Sequence, residues 1–161
     1  MNPRLPPSLE EKEILSQIAE QLTSWKTAIA SDLHQALRAT DMSNRLLISP
    51  SRLEEIAQEE VEAFLHFPET GDEEEARQRG ARRASEGLGE RSALAMTEAL
   101  RRACWIADLD REALRVALEA SGRYVNAFLE GYISGREEEI LKEQERTRHA
   151  FQRVLEKQTR S

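Results

Sequence analysis

Proline is absent from the chain after position 68, and this absence constrains the fold more than any other feature. The five prolines occupy positions 3, 6, 7, 50 and 68, and proline breaks helices more strongly than any other residue. Long helices can therefore fill the second half of the 161-residue sequence. Strand-forming residues are also scarce, because Val, Ile and Thr together number 19, against 20 Ala and 19 Leu. We predict an all-α fold.

The size and charge of the chain exclude several classes of protein. Its length fits one domain, and the formal net charge of -7 argues against nucleic-acid or anionic-membrane partners. The single cysteine, Cys104, cannot form an internal disulfide and is typical of a reducing compartment. No apolar run approaches the ~20 residues of a membrane span. We therefore expect a cytoplasmic protein.

The first half of the chain contains two helical patterns. Ser8 and Glu11 have the spacing of a capping box, which predicts a helix start after a leader of residues 1–8. Helical periodicity continues into the thirties, and we expect a bend or a restart near Ser31 and Asp32 because Asp is a good N-cap. The second pattern begins at Ser49–Pro50 and is predicted to stop before Pro68. Its apolar residues are Leu53, Ile56, Ala57, Val61, Phe64 and Leu65.

A stripe of small residues follows at helical spacing. Ala76, Gly80 and Ala84 recur every four residues and continue to Leu88. Because such a stripe carries little side-chain volume, another helix can approach it closely. We therefore predict close helix packing at Ala76, Gly80 and Ala84.

The last helical pattern is too long to stay within a small domain. It begins near Asp110 and continues for about 48 residues, or ~72 Å. The sequence is thus divided into a helical bundle over residues 9–135 and a protruding helix over residues 136–161. A seam in the protruding part alternates by three and four residues, which predicts a parallel dimer helix and leaves a solvated single helix as the alternative. The seam consists of Ile140, Gln144, Thr147, Phe151 and Val154.

The end of the predicted bundle resembles a known sensor domain. The matching stretches are Ala127-Phe128-Leu129-Glu130-Gly131-Tyr132, Arg136-Glu137, Ile140-Leu141-Lys142-Glu143-Gln144 and Arg148-His149-Ala150. They resemble the N-terminal domain of RsbR-type co-antagonists of the stressosome, a domain that also precedes some bacterial histidine kinases. A Trp-bearing first helix (Trp25) agrees, as does the segment from Leu53 to Leu65. The resemblance implies a globin-like bundle without haem that dimerises and relays a signal through its last helix into an output domain.

The residues themselves provide no convincing cofactor site. A globin-like fold raises the question of haem, but no histidine lies between His66 and His149. Met96 and Cys104 occupy apolar stripes, where we interpret them as core residues. None of the histidines follows a Glu by three residues, as the motif of di-iron bundles requires. We therefore predict neither a cofactor nor a metal.

The charged residues can be explained without a catalytic or binding site. Glu62 and His66 are four residues apart on one helical face, as are Glu145 and His149, and we interpret both as surface pairs. The densest basic cluster is Arg77, Arg79, Arg82 and Arg83. Because Glu73, Glu75 and Glu86 lie at helical pairing distance, we interpret it as a solvated, self-neutralised face. Cys104 has no apparent activating base, so we do not expect an enzyme.

The sequence thus predicts a non-catalytic sensory or regulatory domain of a bacterial signal-transduction protein. Its output would pass through a dimeric C-terminal helix to an output domain or a partner protein. The alternative is a helical dimerisation scaffold without a ligand. The sequence names no small-molecule ligand.

Overall fold

The fold is all-α. The computed structural model describes residues 5–160 and contains six α-helices, one short 3₁₀ turn and, within that range, no strand. The prediction from composition is therefore confirmed. The helices are α1 (Leu9–Thr23), α2 (Lys26–Ala39), α3 (Pro50–Thr70), α4 (Glu73–Ser85), α5 (Glu90–Ile106) and α6 (Arg111–Thr159), and the 3₁₀ turn is Asp41–Ser43.

The first pattern divides into two helices at a different place from the one predicted. The capping box of Ser8 and Glu11 is present, but the break lies at Ser24 and Trp25. Thr23 and Ser24 donate hydrogen bonds to carbonyl oxygens of their own helix at 2.6 Å each, an arrangement that competes with helix propagation. Asp32 lies inside α2 and pairs with Arg102 of α5 at 3.1 Å. The predicted restart near Ser31 and Asp32 is therefore wrong.

Helix α3 does not stop before Pro68. It begins as predicted, with Ser49 accepting a hydrogen bond from the Arg52 amide. Pro68 is buried within its last turn, and the helix ends at Gly71 in the left-handed conformation with φ 60°. Proline lacks the amide that would donate to the Phe64 carbonyl, but its fixed φ of about −65° is itself helical, so the residues after Pro68 can stay in the helix. The Gly71 amide donates to the Phe67 carbonyl at 2.8 Å and closes that end.

The core is organised around α6. Helix α4 makes the most extensive packing contact in the molecule, along α6, while α2 packs on α3 and α5. The largest fully buried apolar side chains come from every helix except α4: Ile18, Leu22, Ile29, Leu33, Leu37, Leu53, Ile56, Met96 and Phe128. Helix α6 thus packs one face against the bundle and continues beyond it.

Helix α6 is continuous for 49 residues, about 74 Å at 1.5 Å per residue. It begins at the predicted place, where Asp110 accepts a hydrogen bond from the Ala113 amide at 2.9 Å. Its last buried residue is Gly135, and every residue from Ile140 to Arg160 is exposed. Among residues 5–160, no helix combines the length and the apolar character needed to cross a bilayer.

Candidate functional site: the last helix and its anchor

Glycines allow α4 and α6 to lie almost backbone to backbone. A Cβ atom added at Gly80 would lie 2.7 Å from the Tyr132 amide nitrogen and 2.9 Å from the Phe128 carbonyl carbon. Gly131 is equally crowded from the other side, against the backbone of Arg77. Ala76 and Ala84 are buried on the same face of α4. The small-residue stripe therefore lies where α4 crosses α6.

A fully buried ion pair joins three helices beside this crossing. Glu60 of α3 is 0% exposed and Arg83 of α4 is 1% exposed. Arg83 Nε donates to Glu60 Oε1 at 2.9 Å, and the Tyr124 hydroxyl of α6 donates to Glu60 Oε2 at 2.9 Å. Both carboxylate oxygens of Glu60 are thereby satisfied. One carboxylate thus links α3 to both α4 and α6.

A ring of further charges surrounds the buried pair. Arg83 also donates to Glu59 at 2.6 Å and to Glu86 at 3.1 Å. Arg52 bridges the same two carboxylates, at 2.9 Å to Glu59 and 3.0 Å to Glu86. Arg79 Nη1 also donates to Glu60 Oε1 at 3.3 Å. The charges therefore form a network that reaches from the interior to the surface. We call Arg52, Glu59, Glu60, Arg79, Arg83, Glu86 and Tyr124 the polar anchor.

The polar anchor changes the proton affinity of its members. Burial acts to raise the pKa of Glu59, but hydrogen bonds from Arg83 and Arg52 outweigh burial, and the pKa lies below its ordinary value. Burial and the charge of Glu60 raise the pKa of Tyr124 well above its ordinary value. Tyr124 consequently remains a hydrogen-bond donor across the physiological range.

The predicted solvated basic face is therefore only partly correct. Arg82 is exposed, Arg77 and Arg79 are half-buried, and Arg83 is buried. Glu75 and Glu86 do pair with the cluster, at 3.5 Å to Arg79 and 3.1 Å to Arg83. The partners of Arg83 on α3, namely Glu59 and Glu60, were not predicted from the sequence.

One signal for those partners is present in the sequence. Glu60 falls on the apolar face of α3, four residues after Ile56 and four before Phe64. A charge at such a position needs a buried partner, because an unpaired buried carboxylate is strongly unfavourable.

The seam on α6 is exposed along its whole length. Ile140 is 41% exposed, Phe151 65% and Val154 52%. Gln144 and Thr147 are also exposed, and the Thr147 hydroxyl donates to the Glu143 carbonyl at 3.0 Å. The seam is therefore available to a partner on the part of α6 that leaves the bundle.

A loop reaches α6 at the point where the helix leaves the bundle. Arg45 donates to Glu143 at 3.1 Å. Its backbone amide donates to the Gly87 carbonyl at 2.8 Å, and Asn44 Oδ1 accepts from the Gly89 amide at 2.9 Å. The loop is thus fixed to the turn between α4 and α5 and, through Arg45, to the exposed helix.

The residues considered for catalysis or metal binding occupy unrelated places. Met96 and Cys104 are fully buried in the core, and burial raises the pKa of the Cys104 thiol. His66 is exposed, and His149 lies 3.9 Å from Glu145 on the protruding part of α6. Within residues 5–160, no group of three His, Cys, Asp or Glu side chains is placed to hold a metal ion.

An open groove lies between the start of α1 and the first half of α6. Its volume is about 390 Å³, with Ile14 and Val116 among its apolar residues and with charges of both signs. The charged residues that line it are Glu10, Glu11, Glu112, Arg115, Glu119 and Arg123. The groove is open to solvent rather than enclosed, unlike a typical small-molecule pocket.

Comparisons of the chain with models of protein families, with curated proteins and with solved structures found no match.

Proposed function

We propose that this protein is a non-catalytic sensory or regulatory domain of a bacterial signal-transduction protein, with α6 of a homodimer as its output. The exposed seam on α6 is the observation that carries the proposal. About 20 residues of α6, or ~30 Å, lie outside the bundle. A helical segment surrounded only by water is marginally stable, because most helix stability in proteins comes from packing. Its apolar seam repeats at coiled-coil spacing and is suited to a partner helix.

The packing of α6 supports a role in transmission. The same helix packs one face against the core, crosses α4 at Gly80 and is hydrogen-bonded to Glu60 through Tyr124. A displacement of α3 or α4 therefore acts directly on α6. Tightly packed helices switch between discrete arrangements instead of deforming continuously, which suits a signal carried as a small shift or rotation.

The resemblance to RsbR-type sensor domains and related histidine kinase domains agrees with this role. It brings the expectations of a globin-like arrangement without haem, a cytoplasmic location and a C-terminal output domain or signalling partner. These expectations are part of the proposal.

A dimerisation scaffold without a ligand is the second candidate. The open groove between α1 and α6, lined by charges of both signs, favours it over a sensor with an enclosed pocket. Both candidates share the dimer helix. A ligand that changes the spacing of the two α6 helices would distinguish sensing from scaffolding.

The dimer is tested by placing charges on the seam of the full chain. Phe151→Glu combined with Val154→Glu puts two carboxylates at apolar seam positions, and we expect the dissociation constant of the dimer to rise at least about tenfold. Sedimentation at several concentrations measures it, while circular dichroism checks helix content. His149→Glu with Gln152→Glu adds the same residues away from the seam and is the matched control. A double seam variant as dimeric as the parent contradicts the dimer helix.

A further inference from the structure

We propose that the second copy lies parallel to the first along α6, in register, and that Glu143 of each helix pairs with the partner's Arg148. This proposal rests on the proposed dimer and deepens it by naming the residues that select the parallel orientation and the register. The distribution of burial and charge around α6 supports it.

On the side of α6 that faces away from the core, only Ile133 extends the apolar seam towards the bundle, because Glu130 and Glu137 occupy the other seam positions there. Ile133, Ile140, Thr147 and Val154 recur every seven residues and define heptad position d, while Gln144 and Phe151 define position a. Ile133 is 56% exposed. The buried residues of α6 all fall at b, c, e or f: Ala117, Ala120, Ser121, Tyr124, Val125, Ala127, Phe128, Gly131, Tyr132 and Gly135. From Ile140 onward, two copies can therefore pair through a and d with their bundles on the outside.

The charges beside the seam favour the parallel orientation. Glu143 lies at position g and Arg148, five residues later, at position e. In a parallel coiled coil, residue g of one helix meets residue e of the next heptad on the other, so two Glu143–Arg148 pairs form symmetrically. A fully overlapping antiparallel pair instead brings e to e and sets Arg148 against the partner's Arg148.

The polar seam residues also fit an in-register pair. Gln144 at position a can hydrogen-bond to the partner's Gln144 only when the two helices are aligned, as single polar residues at this position do in parallel dimers. The hydroxyl of Thr147 is already satisfied by the Glu143 carbonyl at 3.0 Å. It therefore adds no unpaired donor to the interface.

The bundle itself positions Glu143 for the partner. Arg45 binds Glu143 Oε2 at 3.1 Å, which leaves Oε1 for a second donor. On the same flank, one heptad earlier, Arg136 lies 3.6 Å from Glu90 at the start of α5. The loop at Arg45 thus holds a carboxylate at the edge of the interface and links the bundle to the helix pair.

Cysteine cross-linking tests the orientation in the full chain. Cys104 is the single native cysteine and is buried, so an introduced thiol reports on its own position. Ile140→Cys and Val154→Cys are each expected to form a covalent dimer under mild oxidation, because d residues of a parallel pair face their own equivalents. Mixing the two variants is expected to give no 140-to-154 product. His149→Cys, at the outer position f, is the control and is expected not to cross-link.

The other outcomes separate this inference from the proposed function. Cross-linking in the mixture but not in the separate variants would overturn the parallel orientation while leaving the dimer intact. A chain that sediments as a monomer at every concentration would refute the dimer itself. A dimer in which none of the positions cross-links would refute the seam as the contact.

Charge reversal tests the proposed pair independently. Glu143→Arg and Arg148→Glu are each expected to weaken the dimer about fivefold, since exposed ion pairs contribute modestly and like charges repel. The double variant Glu143→Arg/Arg148→Glu is expected to recover most of that loss, as a double-mutant cycle requires of a direct pair. Additive losses in the double variant would show that the two residues do not meet.

Discussion

Glu60 carries a buried charge that must be compensated by hydrogen-bonding partners. It is 0% exposed and accepts hydrogen bonds from Arg83 and from Tyr124. A buried ion pair adds little net stability compared with apolar packing. Removing one partner nevertheless lowers the free energy of unfolding strongly, because the remaining charge stays buried without compensation. The pair therefore contributes mainly by specifying which side chains of α3, α4 and α6 meet.

Replacement of Glu60 is expected to be far more damaging than loss of its tyrosine partner. Glu60→Ala leaves Arg83 buried with a reduced set of partners and should lower the free energy of unfolding by about 3 to 5 kcal/mol. Tyr124→Phe removes one hydrogen bond and should cost about 1 to 2 kcal/mol. Urea unfolding measures both. Glu62→Ala, an exposed position two residues away on the same helix, is the control and should change stability by less than about 1 kcal/mol. Equal losses at positions 60 and 62 would contradict the energetic role of the buried pair.

Glu59 makes stability depend on pH in a predictable direction. Its pKa is lowered in the folded state, so the unfolded chain binds the proton more readily. The stabilisation is therefore present above the ordinary glutamate pKa of about 4.3 and is lost as pH falls through the lower folded value. Unfolding free energies measured between about pH 6 and pH 3 should fall more steeply for the parent than for Glu59→Gln. Parallel pH profiles would mean that Glu59 does not contribute.

At the scale of helices, the close approach of α4 and α6 depends on the absence of side chains. Gly80 faces backbone atoms of α6, which cannot move as the end of a flexible side chain can. By contrast, Gly122 on α6 has no heavy atom within 4 Å of the place where a Cβ would lie. The two glycines therefore provide a matched comparison of the same substitution in crowded and open surroundings.

We expect opposite signs for alanine at these two positions. Gly80→Ala should destabilise the protein by about 1 to 3 kcal/mol through overpacking, and Gly80→Leu by at least as much. Gly122→Ala should stabilise it by roughly 0.5 to 1 kcal/mol, the ordinary gain from removing glycine inside a helix. Thermal or urea unfolding of the three variants measures the effect. If Gly80→Leu melts at or above the parent temperature, α4 does not pack closely on α6 at Gly80.

The helix boundaries show what local sequence can and cannot predict. Ser8, Ser49 and Asp110 cap helices where expected, because capping depends on side chains within three residues of the helix start. Asp32 had equally good local chemistry, but its carboxylate pairs with Arg102 on another helix. The two residues are 70 positions apart in the sequence, so local sequence patterns cannot predict their contact.

For the molecule as a whole, periodicity was sufficient to predict the helical class and the length of α6, but not the polar anchor. The 49 residues of α6 repeat apolar positions without a break signal, so its continuity could be anticipated. The burial of Arg83 depends on how α3, α4 and α6 pack together, and the helical spacing of Arg83 to Glu86 suggested a surface pair instead. Charge patterns within one helix therefore describe its surface well and its buried face poorly.

A tilt of α6 at Gly131 would be enlarged at the far end of the helix, because the helix is long and continuous. From Gly131 to Thr159, α6 extends 28 residues, or about 42 Å at 1.5 Å per residue. A tilt of about 5° at Gly131 would move the far end by roughly 4 Å, which is about the rise of two to three residues along a helix. Rearrangements inside the bundle too small to disturb its packing thus become displacements of atomic size at the end of the helix.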